Sequence, residues 1–110
     1  MAHEQHQQLL KTLHECMEAC NHCFDACLEE EDVKMMAECI RTDRDCADIC
    51  GMVVSFSHRQ SPLLDELIAL CIKACDTCAS ECEQHDHDHC KECAKACREC
   101  EAACEEYLAV

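Results

Sequence analysis

Cys71-Ile72-Lys73-Ala74-Cys75-Asp76-Thr77-Cys78-Ala79-Ser80-Glu81-Cys82 decides the fold. Its four thiols are spaced four, three and four residues apart. On an α-helix, residues three and four apart share a face, with Cβ atoms about 5–6 Å from one another. The four sulfurs therefore form one stripe. The pattern recurs at Cys16, Cys20, Cys23, Cys27 and at Cys90, Cys93, Cys97, Cys100, Cys104, with a shorter version at Cys39, Cys46, Cys50. Four stripes at core-position spacing predict helices whose shared interior is lined with sulfur, an arrangement suited to holding metal.

The 110 residues suffice for one domain spanning residues 1–110. Hydrophobic residues make up 49%, but 16 of them are Cys and only Phe24, Phe56 and Tyr107 are aromatic. Free Cys packs as a small hydrophobe, so thiols must fill space that Leu and Phe normally fill. Cys as plain filler is the bland reading. Cys at almost every inner position exceeds what packing requires.

So many Cys would mark a disulfide scaffold in a secreted chain. Two features oppose that. Met1-Ala2-His3-Glu4-Gln5-His6 has neither a basic start nor an apolar run, so a signal peptide is not expected and the thiols are expected to be reduced in the cytoplasm. Thiols along one helix face are also poorly placed to bridge, since a disulfide needs Cβ atoms about 3.8 Å apart. No segment reaches transmembrane length, so a membrane partner is not expected. The net charge of −15 argues against nucleic acid, which needs basic patches. The acid excess reads as a solvated surface, or as groups that gather cations near an opening.

One Gly and one Pro predict long helices and short turns. The first helix is expected over His3–Leu28, ended by Glu29-Glu30-Glu31-Asp32, because acids at a helix C-terminus oppose its dipole. Asp32 would cap a second helix over Val33–Ser57. Its inner face reads Met36 (or Met35), Cys39, Asp43, Cys46, Cys50 and Val53 or Val54. Gly51 within it suggests close packing. Ser61-Pro62 opens a third helix to Gln84, with Ser as cap and Pro at the first position. A fourth runs from His89 to Leu108, with Asp86 or Asp88 capping. The fold class is thus all-α: an antiparallel up-down-up-down four-helix bundle with a Cys-lined core, because short connections make neighbours antiparallel. This topology gathers Leu9, Leu10, Leu13, Val53, Val54, Phe56, Leu63, Leu64, Leu67, Ile68, Tyr107 and Leu108 into a dry plug at one end. The other end collects Cys27, Met35, Met36, Cys39, Cys82, Cys90, His85, His87 and His89.

Soft thiolates select Cu(I), zinc or iron–sulfur clusters. Charge favours the first, because a buried core tolerates little net charge. Two-coordinate Cu(I) with bridging thiolates needs about one thiolate per ion and leaves the core neutral. Isolated four-thiolate zinc sites would bury roughly eight negative charges over four metals. Seven i,i+4 thiol pairs can each clamp a near-linear ion, and four i,i+3 pairs link the clamps. Cys-x3-Cys-x2-Cys at Cys16, Cys71 and Cys93 mimics a radical-enzyme cluster motif, but that motif belongs on a large α/β barrel. A di-iron bundle needs Glu-x-x-His on two helices, and no Glu here has His three residues later.

His85, His87 and His89, with Met35 and Met36, bind copper more weakly than thiolate does and are placed to pass ions inward; a solvated polar turn is the competing reading. His14 and His22 read as surface residues, and His3, His6 and His58 lie near the apolar end. Asp43 occupies a Cys-like position, where it hydrogen-bonds in the core or pairs with Arg41 or Arg44. Competing functions are a zinc buffer and a thiol-based redox sensor. The sensor needs an exposed, low-pKa thiol at a helix N-terminus, for which Cys90 is the candidate.

Cys20-Asn21-His22-Cys23, the run Cys39-Ile40-Arg41-Thr42-Asp43-Arg44-Asp45-Cys46-Ala47-Asp48-Ile49-Cys50, and His85-Asp86-His87-Asp88-His89-Cys90 resemble the cysteine-rich four-helix-bundle copper storage proteins, in their cytosolic bacterial branch. The likeness spans nearly the whole chain. It implies multiple Cu(I) ions bound by Cys inside the bundle, a homotetramer, and metal admission at the histidine end. Some relatives carry thiols at positions like Leu9, Leu13 and Ile68. Here these are aliphatic, so a smaller capacity and a thicker plug are expected. The expected function is cytosolic Cu(I) storage and sequestration without catalysis, with copper ions, and a copper chaperone as their donor, for partners.

Overall fold

The computed structural model describes residues 2–109, apart from the side chains of residues 2, 3 and 5. His3, expected near the apolar end, therefore lies outside the described side chains. Four helices follow one another: α1 (Ala2–Leu28), α2 (Ala37–His58), α3 (Leu64–Cys82) and α4 (Asp88–Ala109). Each packs on its sequence neighbours, and α4 closes the ring against α1. The result is a rod of 46 × 18 × 17 Å with one long core.

The helix ends follow local chemistry. α1 stops at Leu28, where the acid run begins, and Glu29 N–H and Glu30 N–H turn back onto the Ala26 and Cys27 carbonyls. Asp32 does not cap α2 with its side chain. A 3-10 turn, Val33–Met36, comes first, and α2 begins four residues later than expected. α2 ends in a Schellman closure: Ser61 N–H bonds to Phe56 O and Gln60 N–H to Ser57 O, each at 3.1 Å. Gln60 takes the left-handed conformation (φ 51°) that such a closure requires. The Ser61 hydroxyl accepts the Leu63 N–H at 3.1 Å, so Ser61-Pro62 orders a local turn and α3 proper starts at Leu64. On α4, the Cys90 and Lys91 N–H groups both bond to His87 O.

The plug is smaller than the sequence suggests. Leu9, Leu13, Val53, Leu67 and Ile68 are buried, while Leu10, Val54, Phe56, Leu64 and Tyr107 only border the core. Leu63 and Leu108, expected in the plug, are exposed. Each fully buried aliphatic side chain contributes about 1.5–3 kcal/mol, so this short layer anchors the apolar end. Above it, His6, Ser57, His58, Gln60, Leu64 and Tyr107 line an open cleft of mixed polarity, about 730 Å³ in volume. On the outside, Arg98 of α4 ties α4 to α3 through Asp76 (2.6 Å) and Glu83 (2.9 Å).

Gly51 is not a close backbone approach. A Cβ there would meet only the Met17 methyl at 3.4 Å, an ordinary contact with a flexible tip. Gly51→Ala is therefore expected to stabilise the metal-free protein by about 1 kcal/mol through helix propensity. Thermal unfolding of the reduced protein measures it, and a lowered midpoint would contradict the assignment.

Candidate metal centre

All sixteen thiols are free and fully buried. The stripes of the four helices meet on the bundle axis because each helix turns its three-four periodic face inward. Sulfur faces sulfur across the helices: Cys39 and Cys82 at 3.4 Å, Cys20 and Cys97 at 3.7 Å, Cys16 and Cys46 at 3.8 Å, Cys50 and Cys71 at 3.8 Å. Several four-thiol groups have all Sγ atoms within 4.8 Å, including Cys16/Cys20/Cys46/Cys97, Cys16/Cys46/Cys50/Cys75 and Cys50/Cys71/Cys75/Cys100. These groups share members. They form a continuous lattice of bridging positions rather than a set of separate tetrahedra.

Asp43 sits inside this lattice and is fully buried. Its Oδ1 accepts hydrogen bonds from Cys78 and Cys93 at 3.3 Å and from Cys82 at 3.6 Å, and its Oδ2 from Cys39 at 3.9 Å. It pairs with neither neighbouring arginine. Arg41 reaches Glu38 and Arg44 reaches Asp48. Burial, and then the neighbouring Cys93 and Cys78 thiols, push the carboxyl far above its usual range, so it is neutral at physiological pH.

The histidine end forms a mouth, and its three imidazoles do different things. His89 points Nδ1 at the sulfurs of Cys23 (3.3 Å), Cys90 (3.6 Å) and Cys27 (3.9 Å). Its Nε2 lies 2.8 Å from Glu30 Oε2. Nε2–H donates to that carboxylate, so Nε2 keeps the proton and the Nδ1 lone pair faces the thiols. His87 stacks on His89 with ring centroids 5.2 Å apart and lies near Glu30 and Asp32. His85 is held by Glu81 at 2.8 Å. Only His89 of the three contacts sulfur. Met36 is fully buried and Met35 is 74% exposed, so Met36 lines the core and Met35 does not.

Cys90 does not meet the requirement for a redox thiol. It is fully buried, and burial together with the charge of nearby Cys23 and Cys39 pushes its pKa up. The same causes raise Cys27. Cys23 behaves differently: hydrogen bonds from Cys39 and Cys82, with His89, lower it to about 5. His14, His22 and His58 are exposed, and His6 bonds to Ser57 above the plug. Glu30 was legible only as a helix breaker, because its partner His89 lies 59 residues away. The i,i+4 spacing of Glu81 and His85 was a readable signal.

A four-helix bundle whose axis is occupied by reduced thiols defines a class of intracavity metal-binding protein. The family model "Csp: Copper storage protein" matches residues 2–109, and the chain belongs to that family. Among solved structures, Cu(I)-bound copper storage protein BsCsp3 from Bacillus subtilis is similar at 44% identity and a TM-score of 0.90, over 94% of this chain and 98% of that one. A cytosolic copper storage protein from Streptomyces lividans, holding five coppers, is similar at 37% identity and a TM-score of 0.95, over 99% and 96% of the two chains. The uncharacterized cysteine-rich protein YhjQ of Bacillus subtilis is 52% identical over 82 residues, 74% of this chain and 76% of its own length.

Proposed function

We propose that the chain stores many Cu(I) ions on the thiols of its core, as a cytoplasmic sequestering protein without a catalytic step. One observation carries the reading: sixteen buried thiols line one core, and among the described residues no basic side chain is buried. Each monovalent ion balances one thiolate, so the core stays neutral up to one ion per thiol. Shared membership of the four-thiol groups suits bridging Cu(I) better than isolated zinc sites, which cannot share ligands without crowding dications. All sixteen cysteines are assigned as ligands, with His89 and Met36 as accessory donors near the mouth. Residues 1–110 act as one metal-binding unit. Relatives described as binding several coppers, one of them cytosolic, support the same reading.

The chain also assembles with copies of itself as a tetramer. A shallow apolar groove between α2 and α3, bordered by Ile49, Leu70 and Ala74, supports this, as does exposed Met52 on the same stripe of α2. A copper chaperone is the kind of donor that would meet the acidic mouth. Sedimentation of the apo protein over a range of concentrations tests the assembly; a strictly monomeric species would refute it.

The central test is an anaerobic titration of the reduced chain, read by chelator competition and native mass spectrometry. Roughly 12–20 Cu(I) per chain are expected, near one per thiol. Saturation at four or fewer, or failure of Cu(I) to displace Zn(II), would overturn copper storage in favour of a zinc buffer.

A further inference from the structure

The core distinguishes its guests by few criteria. Among the described residues, four polar side chains are buried: Thr12, Thr42, Asp43 and Ser57. Thr12 and Thr42 donate to carbonyls of their own helices, at 2.9 Å and 3.1 Å. Ser57 bonds to His6 beyond the plug. Asp43 alone offers oxygen to the sulfur lattice. A site selects among metals through charge, ligand softness, preferred geometry and size. With sulfur as almost its whole donor set, this one applies no hard-donor criterion. Its charge rule admits any monovalent cation. Its paired thiols suit any ion content with two-coordination. Only size remains.

Size acts unevenly along the rod. Neighbouring unloaded thiols come as close as 3.4 Å, so a two-coordinate ion must part such a pair, and a larger one parts it further. At the closed end, Leu9, Leu13, Val53 and Ile68 are fully buried and hold the helices together. Cys50 and Cys71 lie three residues from Val53 and Ile68, under that restraint. At the mouth, Cys23, Cys27, Cys39 and Cys90 are bordered by His89 and by the short 3-10 turn instead. There Met36 is the one large apolar side chain fully buried besides the thiols, against four at the plug, so that end is the less restrained.

We propose that the core takes soft monovalent d10 cations as a class, silver(I) as well as copper(I), filling from the mouth and holding fewer silver than copper ions. The inference rests on the storage reading for the same thiols. Softness makes silver a natural thiolate and thioether guest, and equal charge keeps the core neutral. The larger radius costs the sites nearest the plug.

The probe is silver nitrate, titrated into the reduced full-length chain without oxygen or chloride, beside a Cu(I) titration of the same preparation. Native mass spectrometry counts ions, circular dichroism follows the helices, and pulsed alkylation at partial loading maps occupied thiols. The expected silver count lies below the copper count but within about twofold of it. Helicity should be retained, and the mouth thiols should be protected before Cys50 and Cys71. Normal copper loading with two or fewer silver ions, or with unfolding during silver addition, overturns the inference. So does a silver count equal to or above that of copper. Failure of copper itself is a separate result, and it removes the storage reading on which the inference stands.

Discussion

Metal-free Asp43→Asn protein is expected to be more stable than the parent at pH 7.5, by a few kcal/mol. The carboxyl accepts thiol hydrogen bonds from three helices, and burial holds it in its protonated form. In the unfolded chain the same group ionises near its ordinary value of about 3.9. Above that pH the folded state holds a proton that the unfolded state has lost. Stability therefore falls as pH rises, by about 1.4 kcal/mol per pH unit for one such group, until the folded carboxyl also ionises. Burial places that point far higher. The window of loss thus opens near pH 4 and extends through neutrality. Above about pH 8.5 the unfolded thiols ionise as well and add loss of the same sign. Asparagine keeps an acceptor oxygen for the thiols and carries no titrating proton. The variant should be slightly weaker than the parent at pH 4.5 and clearly stronger at pH 7.5. Urea unfolding of both reduced proteins between those limits measures the crossing. Parallel pH profiles would show that Asp43 ionises freely in the fold.

The stripes were legible because sulfur sits at the three-four period of the helix itself, so the pattern that names the ligands also names the fold. Helix ends were legible where one residue type acts alone, as with the acid run after Leu28. They were missed where two roles compete. Asp32 is a good cap by type, but its carboxylate lies near His87 across the mouth. Ser61 does accept a backbone N–H, yet it closes a turn before the helix rather than the helix. Met35 and Met36 were ambiguous because the 3-10 turn advances three residues per turn, which breaks the α-helical phase just before Cys39. The inward turn of His89, rather than His85 or His87, was not legible. Its orientation is set by Glu30 on a different helix connection, and no local period carries that information. Leu63 and Leu108 were assigned to the plug because the up-down topology brings them to that end, but topology does not say whether a residue beyond the last packed turn is covered.

His89→Ala should slow Cu(I) loading by roughly 10–100-fold, the range usual for groups that support a metal site, while leaving the final copper count unchanged. Of the three mouth imidazoles this one alone touches sulfur, so it offers the first soft nitrogen beside Cys23 and Cys27. The sixteen thiols that set capacity remain. The effect depends on pH in a defined direction. Burial alone would lower the His89 pKa, but the adjoining Cys23 thiol and Glu30 carboxylate outweigh it, and the net shift is upward. As pH falls through this raised pKa, the ring gains its second proton. It then loses the Nδ1 lone pair and presents a positive charge to an arriving cation. Loading of the parent should slow across that titration, and loading of the variant should slow much less. His85→Ala is the control, because His85 is tied to Glu81 and meets no thiol. Stopped-flow absorbance of copper–thiolate bands separates the three proteins. Equal rates for the two variants at every pH would mean that ions reach the core by another path, and the mouth would then be a structural closure rather than a port.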